Sequence, residues 1–304
     1  MPVKTLKAGT ATWYYLTDFS GEDLGFLKTN FKFHPLDLKD CTGEPQRSKI
    51  DTYRNYLFMV FQLPNWNADG KRVSVDQLYL FIGKDYLVTV TKEKVKILQN
   101  FFYKLGGNHK LRENVFNQGS GYLLYRLLDH ILHQRWAALN QLDKAIRKIE
   151  LDIDEGRGKR AVFEIANLRR VILQFRSVID PQRLMVNALS RLDTTFLKKD
   201  MAVYFDDIDD YVEKIWFSLE SYHDRILSLH EINESLISYR TNKVMRLLTI
   251  FSGALLPLTL FTGLYGMNIN LPFSDAPLVV WSLFALVALT IAIIFLMLKK
   301  KDWI

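Results

Sequence analysis

The sequence predicts an α+β cytoplasmic domain, a long stalk helix and two C-terminal transmembrane helices. Three observations predict this fold class: mixed strand and helix patterns through residue 120, no Pro or Gly between 201 and 252, and two apolar runs near the C-terminus. The predicted segments are an α/β domain (1–120), a helical hairpin with a connecting helix (121–200), the stalk (201–246), a first transmembrane helix (247–267), an external loop (268–276), a second transmembrane helix (277–298) and a basic tail (299–304).

Composition favours a reducing compartment next to a membrane. The chain has 304 residues, is 49% hydrophobic and carries a formal net charge of +7, enough for one or two domains with a core. Its basic residues are interspersed with acidic ones, without any RNA- or DNA-binding motif, so anionic lipid is favoured over nucleic acid as the partner. The single cysteine, Cys41, excludes an internal disulfide, and no apolar signal stretch follows Met1.

The first 120 residues carry the patterns of strands and turns. The apolar run Tyr56–Leu63 predicts a buried strand that Pro64 and Asn65 stop, with a turn over 65–70. Two later runs separated by Gly83-Lys84-Asp85 predict a hairpin. The other predicted elements are a strand at 10–16, a short helix at 21–30 and the hairpin strands at 77–82 and 86–91.

From Gly121 onward the apolar period becomes helical. An apolar stripe predicts a helix to Ile153, a turn at 154–158 and an antiparallel partner helix over about 160–179 that ends before Asp180-Pro181. A further segment is expected at 182–197. On the first helix, His130 and His133 are three residues apart; a surface or packing role is favoured over metal binding because no carboxylate completes a ligand set at suitable spacing.

The stalk and the first span are predicted to form one helix. It would run from about Met201 to Tyr265, on the order of 95 Å at about 1.5 Å per residue. No globular domain houses such a helix internally, so we expect it to pass from the cytoplasm into the membrane. A stalk of this length needs lateral neighbours, and self-association is therefore expected.

Two apolar runs are long enough to cross a bilayer. The first, Leu247–Tyr265, contains no charged residue, and the second, Pro277–Leu298, is apolar except for Ser282 and Thr290. The loop between them contains only Asp275, whereas basic residues flank the other ends of both runs. By the positive-inside rule, both termini are cytoplasmic and the loop faces out. The flanking basic residues are Arg240, Lys243, Arg246, Lys299, Lys300 and Lys301.

One face of the first span is polar or small at most positions. Two interpretations stay open: close helix–helix packing, or the lining of a water-filled path between copies of the helix. Neither span contains Asp, Glu, Lys, Arg or His, which favours a passive cation conduit driven by the membrane potential over a proton-coupled pump. The stripe comprises Asn242, Met245, Thr249, Ser252, Leu256, Thr259, Gly263 and Gly266.

The two ends of such a path also have candidate residues. Near the cytoplasmic end, Met245 and Leu248 could close it by dewetting. At the outer end, a ring of Asn268 carbonyls is suited to hydrogen-bond the water shell of Mg²⁺, an ion that dehydrates reluctantly.

The start of the stalk holds four acidic residues within five positions, Asp206, Asp207, Asp209 and Asp210. A bound divalent cation would relieve their mutual repulsion. Acidic residues are equally favoured in the first turn of a helix by its macrodipole. The residues alone leave both interpretations open.

The end of the first span resembles a known signature. Tyr265-Gly266-Met267-Asn268, preceded by Pro257-Leu258-Thr259 and Gly263, resembles the signature of the CorA family of divalent-cation channels. The second span and its ending, Lys299 to Ile304, also resemble that family, and the resemblance covers most of the chain.

The resemblance implies a funnel-shaped homopentamer in the plasma (inner) membrane, with a five-fold pore formed by the first span. It implies a selectivity filter at 265–268, with Asn268 as a ring at the outer mouth. Ser252 and Gly263 are added to the predicted pore lining because they belong to the stripe described above, not because of the resemblance. The pore positions that carry over from the family are Asn242, Met245, Leu248, Thr249, Leu256 and Thr259.

The resemblance also implies that Mg²⁺ is both the transported ion and a regulatory ligand, with no organic cofactor. Family members bind regulatory Mg²⁺ between neighbouring cytoplasmic domains. One carboxylate follows a His-Pro-Leu segment, found here at 34–36, so Asp40 takes that role. The other follows a Tyr-Phe pair, found here at 204–205, so Asp207 takes it. High intracellular Mg²⁺ would bridge subunits in a closed state, and low Mg²⁺ would let the carboxylates repel.

The sequence departs from the family in two places. The loop after Asn268 lacks the family's acidic Met-Pro-Glu-Leu run and keeps only Asp275, which bears on ion capture and selectivity. The amino-terminal domain is also expected to lack the first part of the usual cytoplasmic fold.

The expected function is passive influx of hydrated Mg²⁺, with Co²⁺ and Ni²⁺ as secondary substrates. A zinc-preferring transporter of the same superfamily is an alternative, although the intact Tyr-Gly-Met-Asn argues against it. A membrane-anchored scaffold or sensor is another, and it would not require a polar stripe. An enzyme is not expected, because the sequence has no phosphate loop, nucleophile–base pattern or clustered His/Cys ligands.

Overall fold

The computed structural model describes residues 3–66, 73–192, 200–267 and 276–300. The chain divides into two compact units, Met1–His230 and Glu231–Ile304, called here the amino-terminal unit and the carboxy-terminal unit. The predicted fold class is confirmed, with a mixed sheet, a long helix and two apolar C-terminal helices.

The amino-terminal unit contains a six-stranded sheet with the strand order β1-β2-β6-β5-β4-β3. Only β2 and β6 pair in parallel; the other neighbours are antiparallel. The predicted β5–β6 hairpin is confirmed. A Cβ atom built on Gly83 would lie 2.3 Å from the Tyr86 ring, so the close approach of this ring favours glycine. The strands are β1 (Lys4–Ala8), β2 (Ala11–Leu16), β3 (Lys49–Thr52), β4 (Tyr56–Trp66), β5 (Val73–Gly83) and β6 (Tyr86–Thr91).

Consecutive apolar residues in the central strands bury both faces of the sheet. Along β4, Leu57 and Met59 point to one apolar core, whereas Phe58 and Val60 point to the other. The first core is shared with the long helices and the second with the helices that follow β2. A strand buried on both faces explains why its sequence is an unbroken apolar run.

The prediction that Pro64 and Asn65 stop β4 is wrong. The strand continues to Trp66, and Pro64 pairs with Val75 of β5. The other neighbour, β3, pairs only with residues 57–60 of β4, so β4 is an edge strand at Pro64. Proline is tolerated there because no strand on the β3 side would accept a hydrogen bond from its backbone nitrogen. The predicted turn at 65–70 lies mostly outside the described residues, because 67–72 are not described.

Four short helices flank the sheet, and the predicted helix at 21–30 is confirmed as α1. Pro35 begins α2 at a position where a missing N–H costs nothing, and His34 Nδ1 accepts a 3.3 Å hydrogen bond from Leu36 N–H. The helices are α1 (Gly21–Asn30), α2 (Pro35–Thr42), α3 (Lys96–Gly107) and α4 (His109–Phe116).

Two long helices follow, α5 (Ser120–Asp154) and α6 (Gly158–Ser190). The prediction that the second ends before Asp180-Pro181 is wrong, and with it the separate segment predicted from residue 182. Pro181 lies inside α6 and forfeits one backbone hydrogen bond. Buried Ile179, Gln182 and Met185 on both sides of the proline hold the helix together by packing.

The predicted stalk and first span form one helix, α7 (Met201–Tyr265), and the second span is α8 (Pro277–Lys300). In the amino-terminal unit, α7 is held by ion pairs: Arg225 lies 2.7 Å from Asp143 and 2.9 Å from Glu150, both on α5. The predicted loop from 268 and the last four residues of the basic tail lie outside the described part of the chain.

Candidate functional site

Helices α7 and α8 pack against each other in the carboxy-terminal unit. On α7, half-buried side chains recur at helical spacing and mark the face turned toward α8. The ring centroid of Phe261 lies 5.7 Å from that of Phe284 on α8 and 4.8 Å from that of Tyr265. The half-buried positions are Ile250, Ala254, Pro257, Leu258, Phe261 and Tyr265.

The polar stripe predicted from the sequence lies on the opposite face of α7. At about 100° per residue, its members centre roughly 180° from the half-buried positions. All of them are exposed in the single chain, including Met245 at 54% and Leu256 at 68%. Leu248, predicted with Met245 as a gate, is also exposed. Helix α8 therefore leaves the stripe uncovered.

The threonines of the stripe present hydrogen-bond acceptors. Thr249 Oγ1 donates to the carbonyl of Met245, and Thr259 Oγ1 donates to that of Leu255, both at 2.9 Å. Because the proton of each hydroxyl is used within the helix, its oxygen presents lone pairs outward. Water bound to a divalent cation points its hydrogens away from the metal, so a wall of acceptors suits a hydrated cation.

Helix α7 ends within the predicted selectivity signature. The N–H of Gly266 donates to the carbonyl of Thr262 at 2.9 Å, and that of Met267 donates to the carbonyl of Leu264 at 3.2 Å. A Cβ atom on Gly266 would lie 2.9 Å from the Thr262 oxygen, closer than Cβ atoms come in proteins. This helix end therefore requires glycine. The predicted selectivity residue Asn268 lies outside the described residues.

Asp40, a predicted regulatory carboxylate, lies on α2 beside a lysine. Its Oδ2 is 2.9 Å from Lys49 Nζ, which is also 2.9 Å from Asp51 Oδ2. Burial disfavours the charge of Lys49, but the contacts with the two carboxylates outweigh burial and raise the pKa of Lys49 to about 12. A metal ion at Asp40 would have to compete with this ammonium.

Asp207, the other predicted regulatory carboxylate, is exposed on α7 and contacts a tyrosine of α5. Tyr125 donates its hydroxyl to Asp207 Oδ2 at 3.2 Å. Burial and the charge of Asp207 raise the pKa of Tyr125 to about 12, so the hydroxyl remains a donor at neutral pH. Within one chain, Asp40 and Asp207 thus contact different partners.

The four acids at the start of the stalk do not form a metal site within one chain. In the described ranges, no three His, Cys, Asp or Glu side chains come together in a group that could hold a metal ion. Successive positions point in different directions around the helix. Asp209 is half-buried and accepts a 2.8 Å hydrogen bond from Asn187 Nδ2, whereas Asp206 and Asp210 are exposed. A cation shared by the whole cluster is therefore not supported.

The two histidines of α5 pack on aromatic rings. The ring centroid of His130 lies 4.8 Å from that of Phe101, and that of His133 lies 4.7 Å from that of Tyr211. Burial lowers the pKa of His130, which favours the neutral ring. Because His130 is half-buried and His133 is exposed, these contacts support a surface or packing role for the pair.

Sequence analysis missed Asp37, a buried carboxylate one turn before Asp40. Asp37 is 2% exposed and accepts hydrogen bonds from Tyr53 at 2.9 Å and Tyr56 at 2.8 Å. Burial raises the pKa of Asp37 despite these two donors. The contacts tie the Asp40-bearing helix to the turn between β3 and β4. Two tyrosines flanking a polar turn were the available signal, but the sequence does not identify their partner.

Comparison with known proteins relates these features to one family. The family model described as CorA-like Mg²⁺ transporter protein matches residues 8–300. The chain belongs to this family. The cobalt/magnesium transport protein CorA of Thermotoga maritima is 27% identical over 308 residues, covering 98% of this chain and 84% of the relative. The cobalt/magnesium transport protein CorA of Methanocaldococcus jannaschii is 24% identical over 294 residues, covering 96% and 91%.

A solved CorA structure has the same fold. The complete structure of the CorA magnesium transporter from Methanocaldococcus jannaschii matches with a TM-score of 0.84 at 21% identity, covering 100% of this chain and 95% of that one. The predicted resemblance to the CorA family is thus confirmed by sequence, and the fold of a CorA protein is confirmed by structure.

Membership of the CorA family, together with the two apolar helices, makes the chain an integral membrane protein with two spans. Each of α7 and α8 contains a stretch long and apolar enough to cross a bilayer, and neither stretch is buried inside protein. CorA proteins transport divalent cations and are not enzymes. The chain is accordingly a transporter-family protein rather than an enzyme.

Proposed function

We propose that the chain is a passive channel for hydrated Mg²⁺ in the plasma (inner) membrane, with Co²⁺ and Ni²⁺ as secondary substrates. The observation that carries this proposal is the stripe of small and acceptor-bearing residues on the face of α7 turned away from α8. Relatives of this chain named as cobalt/magnesium transport proteins support Mg²⁺ and Co²⁺ as the cargo. Neither span has Asp, Glu, Lys, Arg or His, so the membrane potential drives the flux.

One copy of α7 cannot enclose a path, so copies must assemble with their stripes toward a shared axis. A homopentamer is the assembly that the family resemblance implies. Both termini are cytoplasmic in this proposal, because the flanking basic residues avoid the loop at 268–276. The cytoplasmic parts are then 1–246 and the basic tail at 299–304.

The two ends of the path have different roles. At the cytoplasmic end, rings of Met245 and Leu248 close the path by excluding water, and both side chains are more than half exposed in the single chain. At the outer end, Gly266 allows the tight turn in which its N–H bonds to the Thr262 carbonyl and α7 ends. Asn268 follows two residues later. Asn268 carbonyls accept hydrogen bonds from the water shell of Mg²⁺, which therefore enters without losing its shell.

Regulatory Mg²⁺ binds between copies, at Asp40 of one and Asp207 of the next. Asp207 is exposed and has one weak hydrogen bond, so it is free to ligate an ion. Asp40 is balanced by Lys49, which Mg²⁺ has to displace, and this competition sets a threshold concentration. At high intracellular Mg²⁺ the ion holds the copies in a closed state.

Uptake into liposomes tests the channel proposal. Purified protein is reconstituted and Mg²⁺ entry is followed with an internal fluorescent indicator, for the wild type, Asn268→Ala and Asn270→Ala. We expect flux for the wild type, none for Asn268→Ala and nearly wild-type flux for the matched amide control Asn270→Ala. Flux that survives Asn268→Ala would remove Asn268 from the mechanism.

Other ions in the same assay separate the alternatives. If no divalent cation enters, a membrane-anchored scaffold or sensor replaces the channel proposal. If Zn²⁺ enters faster than Mg²⁺, the chain is a zinc-preferring transporter. Native mass spectrometry of the detergent-solubilised protein tests the assembly, and we expect five copies.

The regulatory proposal needs a separate variant. We expect Asp40→Asn/Asp207→Asn to retain flux but to lose its inhibition by Mg²⁺ on the cytoplasmic side. The control Asp206→Asn/Asp210→Asn removes the same charge from exposed neighbours and should keep the inhibition. Unchanged inhibition in the first variant would overturn the assignment of both regulatory residues.

A further inference from the structure

An open cavity of about 700 Å³ lies in the amino-terminal unit, where three turns meet. The lining comprises 30–32 at the end of α1 and the link after it, 53–56 at the β3–β4 turn and the start of β4, and 84–86 at the β5–β6 turn and the start of β6. Cavities of this size are typical of small-molecule sites. None of the residues proposed for the pore or for regulation lines it.

The cavity carries an excess of positive charge. Each of the three turns contributes one cation, Lys32, Arg54 and Lys84, whereas Asp85 is the only carboxylate in the lining. Within the described part of the chain, none of the three cationic side chains has an ion pair or a hydrogen bond to another residue. Three exposed cationic side chains around one cavity, with a single carboxylate among them, favour the binding of an anion there.

Hydrogen bonds outside the cavity hold the turns in place. Ser120 Oγ donates to the carbonyls of Gly83 at 2.5 Å and Lys84 at 3.2 Å. The Thr12 N–H donates to the carbonyl of Asp85 at 2.9 Å. In the β3–β4 turn, Tyr53 N–H donates to the Tyr56 carbonyl at 2.9 Å. Fixed turns present their charged side chains without an ordering cost on binding.

We propose that this cavity binds an anion carrying adjacent phosphate groups, such as pyrophosphate or the triphosphate of a nucleotide. The Arg54 guanidinium matches one phosphate as a two-pronged donor, and the two lysines supply point charges for the next. An excess of two positive charges suits an anion with at least two negative charges. The site belongs to the cytoplasmic part of the proposed channel, but binding does not depend on transport.

The aromatic walls indicate that phosphate rather than a base is recognised. The Tyr53 ring stacks on Tyr56 at 4.5 Å, and the Phe31 ring stacks on Phe33 at 5.0 Å. Both tyrosine hydroxyls donate to buried Asp37. These rings are therefore engaged with one another and with the protein, so pyrophosphate alone should bind about as well as a nucleoside triphosphate.

Isothermal titration of the full-length protein in detergent tests the proposal. Sodium pyrophosphate and sodium ATP are titrated separately, without Mg²⁺ and at constant ionic strength. We expect both to bind with similar affinity, and Lys32→Gln/Arg54→Gln/Lys84→Gln to weaken both at least about tenfold. Thermal unfolding of this variant should match the wild type, because its three side chains are exposed and, in the described residues, make no ion pair or hydrogen bond.

A charge-matched control separates a built site from general attraction to a basic protein. Lys144→Gln/Lys148→Gln/Lys159→Gln removes three exposed cations from α5 and α6 and should leave both affinities unchanged. Equal weakening in the control, or no binding of pyrophosphate to the wild type, would overturn the proposal. Binding of ATP without binding of pyrophosphate would contradict recognition through phosphate alone. Mg²⁺ flux into liposomes does not enter these outcomes.

Discussion

The two compact units use apolar residues in opposite ways. In the amino-terminal unit several of the largest side chains are fully buried, as Trp13 and Tyr79 are at 0% exposure. In the carboxy-terminal unit Trp281 is 69% exposed and Leu278 is 85% exposed. The apolar core of the first unit is covered by residues of the same chain. The exposed apolar side chains of the second unit are covered by lipid and, in our proposal, by further copies of the chain, because apolar surface on this scale is not left in contact with water.

Polar groups follow the same division. In the amino-terminal unit they bind one another across long sequence separations, as Tyr56 binds Asp37 and Arg225 binds Asp143. In the spans the threonine hydroxyls bind the helix that carries them. The amino-terminal unit is therefore held by hydrogen bonds between distant residues. In the carboxy-terminal unit, these threonine hydroxyls bond only to their own helix. Substitutions matched between the units should expose this difference.

The largest expected effect comes from matched leucines. Leu80 is fully buried in β5, and Leu80→Ala should lower the free energy of unfolding of the amino-terminal unit by about 2–5 kcal/mol. Leu256 is 68% exposed, and Leu256→Ala should change it by less than about 0.5 kcal/mol. Intrinsic tryptophan fluorescence during denaturation reports mainly on this unit, which contains Trp13, Trp66, Trp136 and Trp216. Equal shifts for the two variants would contradict the comparison.

Buried hydrogen bonding gives the next effect. Tyr56→Phe leaves the carboxylate of Asp37 with one donor fewer, which should cost about 1–3 kcal/mol at neutral pH. Burial already raises the pKa of Asp37, and the variant should raise it further. The penalty is therefore present above both pKa values and fades as the pH falls through them, because a neutral carboxyl needs the donor less. Denaturant titrations at several pH values measure this.

The control for that change is on the same carboxylate. Tyr53 also donates to Asp37, but its side chain is half-buried, so water can replace the lost hydroxyl. Tyr53→Phe should cost less than Tyr56→Phe at every pH. The Tyr56 hydroxyl also accepts a 2.8 Å hydrogen bond from His34 N–H. A cost for Tyr56→Phe that does not change with pH would show that this bond, rather than the charge of Asp37, sets the contribution of the hydroxyl.

The fold was predictable where one local pattern decided the structure. The turn residues Gly83-Lys84-Asp85 between two strand-like runs predicted the β5–β6 hairpin, and the absence of helix breakers predicted α7. Local rules failed at Pro64 and Pro181, because both prolines occupy places where neighbours make their missing N–H tolerable. β3 is too short to reach Pro64, and the buried residues around Pro181 hold α6 together. Neither fact is visible in a window of sequence around the proline.

The candidate site divides in the same manner. The face of α7 that carries the stripe could be predicted, because helical periodicity alone fixes it. The partners of the acidic residues could not be predicted: Tyr125 is 82 positions from Asp207, and the ion pair of Lys49 with Asp40 joins β3 to α2, two elements whose contact no local pattern predicts. The role of Asn268 stays a prediction, since it lies outside the described residues.

Threonines on the two spans sharpen the comparison within the carboxy-terminal unit. Thr259 and Thr290 both donate to the carbonyl four residues earlier, at 2.9 Å. Thr259→Val removes an acceptor from the proposed path, and a lost hydrogen bond of about 0.5–1.5 kcal/mol predicts roughly two- to tenfold lower Mg²⁺ flux. Thr290→Val removes the same group from α8 and should leave flux unchanged. Equal losses would indicate that the stripe packs against helices instead of lining water.

The smallest effect concerns the ion pairs that hold α7 in the amino-terminal unit. Arg225 bridges Asp143 and Glu150, but all three side chains are partly exposed, so Arg225→Gln should cost only about 0.5–1 kcal/mol and less at high salt. Burial raises the pKa of Asp143, but hydrogen bonds from Arg225 and Arg147 outweigh burial and lower it. The stabilisation is thus present above the ordinary carboxyl pKa and is lost as the pH falls through the lowered value.

Denaturation of Arg225→Gln at two salt concentrations measures this cost, with exposed Lys144→Gln as the control that should show none. A small cost is expected because two other ion pairs also attach α7 to α6: Arg183 lies 2.8 Å from Glu213, and Arg176 lies 3.1 Å from Glu220. A loss of several kcal/mol would mean that this one bridge determines whether α7 stays with the amino-terminal unit. Surface ion pairs would then carry a role that we assign to the buried face of α7, where Phe205, Ile208, Val212, Ile215 and Leu219 are nearly inaccessible to water.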